Sequence, residues 1–231
     1  MSAILLLGFL IGLQHAMEAD HVAAVASLAT QSRSLSDTAK QGISWGLGHA
    51  LTLFVFAGLA LALHAAVPER MAHLLETMVG FMLILLGLDV LRRLFRDRIH
   101  FHQHSHGKFN HFHAHSHLGG GEHRKDPHHH DHPKGFSIRA LFVGMMHGMA
   151  GSAALILLTL ETVASPLQGL LYILLFGVGS IVGMGLLSLI IALPLRYSAK
   201  NLTWSYNGLK AMVGIITVGL GVIVVFQNTL H

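Results

Sequence analysis

Long apolar runs, separated by short polar stretches, repeat along this chain. Six of them stand out, at roughly 3–28, 42–66, 71–92, 137–161, 167–194 and 207–227. Each is long enough to cross a bilayer as a helix, which takes about 20 apolar residues. They are too long for strands, and strand-like alternation is absent from them. Several are interrupted by Gly and other small residues, which let helices approach closely in a membrane. The pattern predicts an all-α, polytopic membrane protein with six transmembrane helices.

Composition strengthens that reading. The chain is 52% hydrophobic and only 11% charged, with a mean hydropathy of +0.58, whereas a soluble domain carries about 25% charged residues. What charge exists is clustered between the apolar runs. Of the 15 Lys and Arg, only Arg70 lies outside three connecting stretches, 29–41, 92–139 and 194–210. All three follow odd-numbered spans and so share one side, which the positive-inside rule makes cytoplasmic. Both termini then face outward. A pI near 9.7 therefore reflects membrane topology, and nucleic acid is rejected as a partner. The N-terminus MSAILLLGFL lacks a positive leader and runs straight into polar residues, so the first span is expected to be retained. There is no cysteine, which excludes disulfides and thiolate metal sites.

The stretch 95–136 stands apart. Residues 100–132 hold 13 of the 20 histidines. Nothing in it can bury a core, so disorder is expected in the absence of metal. Shallow, polydentate metal capture is a better account of such a composition than a plain spacer.

The two halves resemble each other. GLQHAMEADH (12–21) aligns with GMMHGMAGSA (144–153), matching Gly12 to Gly144, His15 to His147 and Met17 to Met149. WGLGH (45–49) aligns with FGVGS (176–180), and MVG (78–80) with MVG (212–214). The offsets are 132, 131 and 134. Three spans per unit is an odd number, so the second unit enters from the opposite side. The expected organisation is a 3+3 inverted repeat, 1–94 and 137–231, linked by the His-rich loop 95–136. In such transporters the site lies near the midplane where the repeats meet.

The chemistry concentrates in the first span, where His15, Glu18, Asp20 and His21 form HAMEADH. Ionisable groups inside a bilayer are costly and face a cavity or a pathway. One intramembrane histidine is as readily a packing residue as a functional one, but four such groups in seven residues argue for a site. At about 100° per residue, His15, Glu18 and His21 share an arc of roughly 120° and Asp20 points away. Either Asp20 acts behind an imidazole, accepting its free N–H, or the helix unwinds here. His49, in SWGLGHALTL, and His147, in GMMHGMAG, are further candidates, the latter as the repeat mate of His15. Glu76, Asp89 and Glu161, near span ends, are expected to anchor or to pair with arginines. Imidazole with carboxylate suits Ni²⁺ or Co²⁺, with Zn²⁺ behind them. The metal-holding set is therefore His15, Glu18, Asp20, His21, His49 and His147, the ion being cargo and not cofactor. The neighbouring methionines are read as filler and not as copper ligands.

At His15-Ala-Met-Glu-Ala-Asp20-His21 the sequence resembles the nickel/cobalt transporter family (NiCoT), whose signature is H-x4-D-H in a membrane helix. GLGHALTL, with His49, is similar to that family's second motif. The resemblance covers nearly the whole chain and implies that His15, Asp20, His21 and His49 select the metal. Larger members have eight spans; this chain has room for six. It also lacks their acidic motif around His147. In both respects it is more similar to the shorter branch of efflux proteins with His-rich loops and urease-associated permeases. By that resemblance the expected direction leans to efflux, with uptake as the alternative.

Two other classes compete. H-x4-D also occurs in acyltransferases, where histidine acts as a base; here the motif is deep in a span and Asp20 points away from His15, so no catalytic role is assigned. A membrane-anchored metal buffer or sensor explains the loop but not the histidines inside the spans. The partners that fit a transporter are the ion, the lipid bilayer of an inner or plasma membrane, a second copy of the chain and a cytoplasmic metallochaperone. No Walker A pattern is present.

Overall fold

In the computed structural model the described residues are 2–32, 34–63, 68–96, 100–106, 109–115, 137–162, 165–201 and 203–229. Helix formation follows the apolar runs: α1 (Ser2–His15), α2 (Ala19–Ala29), α3 (Leu35–Leu63), α4 (Glu69–Arg96), α5 (Ile138–Thr162), α6 (Pro166–Asn201) and α7 (Thr203–Thr229). Polar residues set where several begin. Ser34 accepts from the Asp37 N–H at 3.0 Å and donates to its carboxylate at 2.6 Å, a reciprocal cap for α3. Ser137 accepts from the Ala140 N–H to start α5. Pro166, whose missing N–H is no loss in a first turn, opens α6.

Among the described residues, α3, α4, α6 and α7 are long and apolar enough to cross a membrane, and α1 and α2 are shorter apolar helices. Their surface is inverted relative to a soluble protein. Leu51, Phe54, Leu85, Ile190, Ile223 and Phe226 face outward, while Ser27, Ser44, His49, His147, Ser180 and Thr217 are buried. So broad an apolar coat needs lipid around it. The chain is an integral membrane protein.

The helices run past the limits read from the sequence. The span expected to close at 194 continues through Pro194 to Asn201, because a membrane helix tolerates an internal proline. The first span is two helices, interrupted at 16–18. A second correction concerns the His-rich stretch, for which disorder was expected. Its backbone forms two antiparallel strands, β1 (His100–His106) and β2 (Phe109–His115), with His100 opposite His115, His102 opposite His113 and His104 opposite His111. The physical reason is a period of two: histidine alternates with other residues through both segments. The rest of that stretch, 97–99, 107–108 and 116–136, lies outside the described residues.

Packing pairs α1 with α6, α5 with α3, α3 with α6 and α4 with α7. Glycines set how close these pairs come. A Cβ at Gly12 would strike the Phe176 carbonyl, and one at Gly144 would strike the Trp45 carbonyl. Gly179 lies against Phe9, and Gly48 against Leu141. Gly80 meets Gly221, and Gly87 meets Gly214. A side chain at such a place must push rigid backbone apart. Gly144→Leu is expected to cost about 3 kcal/mol and to lower the midpoint of thermal unfolding of the detergent-solubilised protein; Gly219→Leu, where nothing lies within 4 Å, is expected to leave it in place.

Candidate metal centre

Between α1 and α2 the chain leaves the helix for three residues. Met17 and Glu18 close back by tighter bonds to Gln14 and His15, and Glu18 is extended (φ −63°, ψ 149°) before Val22 resumes bonding to its carbonyl. The break leaves the C-terminal carbonyl end of α1 at His15 and the start of α2 at Asp20. It resolves the angular conflict in HAMEADH: Asp20 and His21 belong to a new helix with its own phase.

Each carboxylate then takes one imidazole. His15 Nδ1 lies 2.8 Å from Glu18 Oε1, and His21 Nδ1 lies 2.9 Å from Asp20 Oδ1. A carboxylate only accepts, so both rings carry their proton on Nδ1 and present Nε2 as a lone pair. Asp20 uses its other oxygen to accept from His147 Nε2 at 2.9 Å, and its Oδ1 also accepts the His21 backbone N–H at 2.8 Å.

The ring nitrogens converge. His15 Nε2 accepts from the His49 Nε2 N–H at 3.2 Å, a separation that subtends about 100° at an ion ~2.1 Å from each nitrogen once that proton is displaced. One donor atom from each of His15, His21 and His49 lies within 4.8 Å of the other two; Asp20, His21 and His147 form a second such group. His21 is common to both. The first group has the better chemistry for an ion, because both oxygens of Asp20 are already occupied by ring N–H groups. His21, His49 and His147 are fully buried. His21 Nε2, His49 Nδ1 and His147 Nδ1 have no hydrogen-bond partner, a costly state for buried polar atoms unless something else satisfies them.

Of the expected residues, then, His15, Glu18, Asp20, His21, His49 and His147 are all brought together. Asp89 pairs with Arg93 and Arg139 near a span end. Glu76 instead lines a cavity of about 840 Å³ together with His15, Glu18, Asp20, His21 and His147. The sequence reading missed Trp45. Its fully buried indole packs edge-on to His147, with centroids 5.5 Å apart, and lies 5.4 Å from His21. The only sequence signal for it was its alignment with Phe176, which sits 5.2 Å from His15. Glu161 falls at a position whose side chain is outside the description.

Fold and site together define a helical membrane protein with an imidazole–carboxylate cluster gathered at a broken helix. No family model matches the chain, and no solved structure matches it. It is 35% identical over 225 residues to the urease accessory protein UreH of Bacillus sp. (strain TB-90), a match covering 95% of this chain and 89% of that protein. The chain belongs to the family of that accessory protein, and it is not an enzyme.

Proposed function

We propose that the chain transports a divalent transition-metal ion, nickel or cobalt ahead of zinc, through six spans arranged as a 3+3 inverted repeat. The observation that carries this reading is the convergence of His15, His21 and His49 at a helix break, with Asp20 behind them. Three borderline nitrogen donors suit these ions, and a hard oxygen-seeking cation would be poorly served. Negative charge comes from Asp20 and Glu18, the latter at the cavity mouth with 55% of its side chain exposed.

Packing supports the repeat. Gly12 on Phe176 and Gly144 on Trp45 are the same contact made twice, with both partners exchanged at the repeat offset. Gly179 on Phe9 and Gly48 on Leu141 are another such pair. In this reading 1–94 and 137–231 are the two units, both termini face outward, and the ion crosses as the units rock. Protonation of an imidazole removes its metal-binding lone pair and would assist release. The paired strands and the rest of the loop act as a collector on the cytoplasmic side, where a metallochaperone would meet it; a second copy of the chain fits the lipid-facing surface.

The histidine loop and the NiCoT resemblance favour efflux. A second reading, uptake, is favoured by the relative named for its service to urease, since an accessory of a nickel enzyme supplies the ion. Cellular nickel and cobalt in an expressing host decide: lowered metal with better survival means efflux, and raised metal means uptake. A 100–132 deletion is expected to keep transport and to lose no more than about tenfold in rate at low metal. Complete loss with the deletion would favour a metal buffer instead.

A further inference from the structure

The cavity reaches the ion cluster from one side of the molecule. The cavity is lined by Glu76 near the start of α4 and by Gln227 and Asn228 at the end of α7, reaching His15, Glu18 and His21 at the break. These ends of α4 and α7 lie away from the connections rich in Lys and Arg. Trp45, one turn before His49 on α3, lies beneath the rings of His21, His49 and His147. Gly48 and Gly144 bring α3 and α5 into backbone contact at that level. Ser44, fully buried beside Trp45, accepts the Ser137 N–H at 3.2 Å.

Just beyond Ser137 the two halves are tied by side chains. Arg139, in the first turn of α5, donates to Asp89 at 2.8 Å and to the Gln31 side-chain Oε1 at 3.3 Å. The Gln31 amide donates to Asp89 at 3.3 Å, and Arg93 adds a further contact to the same carboxylate at 3.3 Å. Gln31, Asp89 and Arg93 come from the first half and Arg139 from the second. Asp89 therefore ties α4 and α5 to the segment just after α2 at the Lys/Arg end.

We propose that the clasp of Asp89, Arg139 and Gln31, with Trp45 above it, is the gate on the Lys/Arg side, and that it opens to let the ion pass between the cluster and that side. The proposal rests on the transporter reading and adds to it which contacts must break. The chemistry suits a gate. Arg139 is 48% exposed and Asp89 26%; water competes for such a pair, so it is weak enough to break in each cycle. A permanent staple between the halves would be buried and apolar.

The native chain has no cysteine, so Ser44→Cys introduces a single thiol behind the clasp in nearly the volume of the serine. A charged methanethiosulfonate applied from the Lys/Arg side of oriented membranes is expected to label it slowly. Adding Asp89→Asn is expected to raise the rate about fivefold, the population shift that follows loss of one exposed pair. Arg139→Gln breaks the clasp from the other half and should do the same, so poor folding of one variant leaves the other. Arg92→Gln, which is outside the clasp, should leave the rate unchanged. Equal rates with and without the clasp substitutions would overturn the gate. Metal transport by the Ser44→Cys parent keeps the two readings apart. Transport with unchanged labelling sinks the gate alone; accelerated labelling without transport of nickel, cobalt or zinc sinks the transporter reading and leaves only a clasp that opens, with no ion passing it.

Discussion

His21→Ala is expected to reduce metal transport at least about 100-fold, the largest effect of any single substitution. The ring is 1% exposed, its Nδ1 is held by Asp20 and its Nε2 has no partner. It is the one residue shared by both groups of converging donors. Removing it takes away a ligand and also leaves His147 as the one imidazole that Asp20 holds, its other oxygen keeping only the residue-21 backbone N–H. His49→Ala should come close, because His49 Nε2 is the neighbour of His15 Nε2. Tracer nickel flux in vesicles checks this, with protein level and elution profile measured alongside. Transport by a folded His21→Ala protein at near the wild-type rate would remove the cluster from the path.

The second large effect is expected at Asp20. Asp20→Asn preserves volume but leaves one oxygen where two now accept from His21 and His147. The amide N–H₂ meets one ring N–H head-on, so one imidazole must turn or change tautomer. Partners that fix a ligand histidine in this way are worth 10- to 100-fold, and a loss of about that size is expected in nickel affinity. Glu18→Gln is expected to cost less, because Glu18 is 55% exposed and serves His15 only. Calorimetric titration of the three proteins with nickel ranks them; a Glu18→Gln loss larger than that of Asp20→Asn would reverse the assigned roles.

Much of the fold was legible in the apolar runs, because lipid imposes length and hydrophobicity directly on each span. The close helix contacts at Gly12, Gly144, Gly48 and Gly179 were legible as small residues in apolar runs, since such close backbone approach admits no larger side chain. The site was legible as a set of residues but only partly as a geometry. On one ideal helix Asp20 conflicts with His15, which signalled a break without locating it at 16–18. Two features were hidden for different reasons. Glu76 reaches the cavity because α4 packs on the end of α7, about 150 residues later, and no local pattern records that. The paired strands at 100–106 and 109–115 were written in the alternation of His102, His104, His111 and His113, beneath a biased composition that on its own reads as disorder. Trp45 resembles any apolar membrane residue until its three histidine neighbours are seen.

The central claim is that His15, His21 and His49 together hold the ion. X-ray absorption of nickel bound to the 100–132 deletion, which removes the competing histidines of the loop, tests it most directly. The account predicts one tightly held nickel with about three imidazole nitrogens in its shell, and loss of that signal in His21→Ala. An ion held by oxygen alone, or a shell that survives His21→Ala intact, would contradict it.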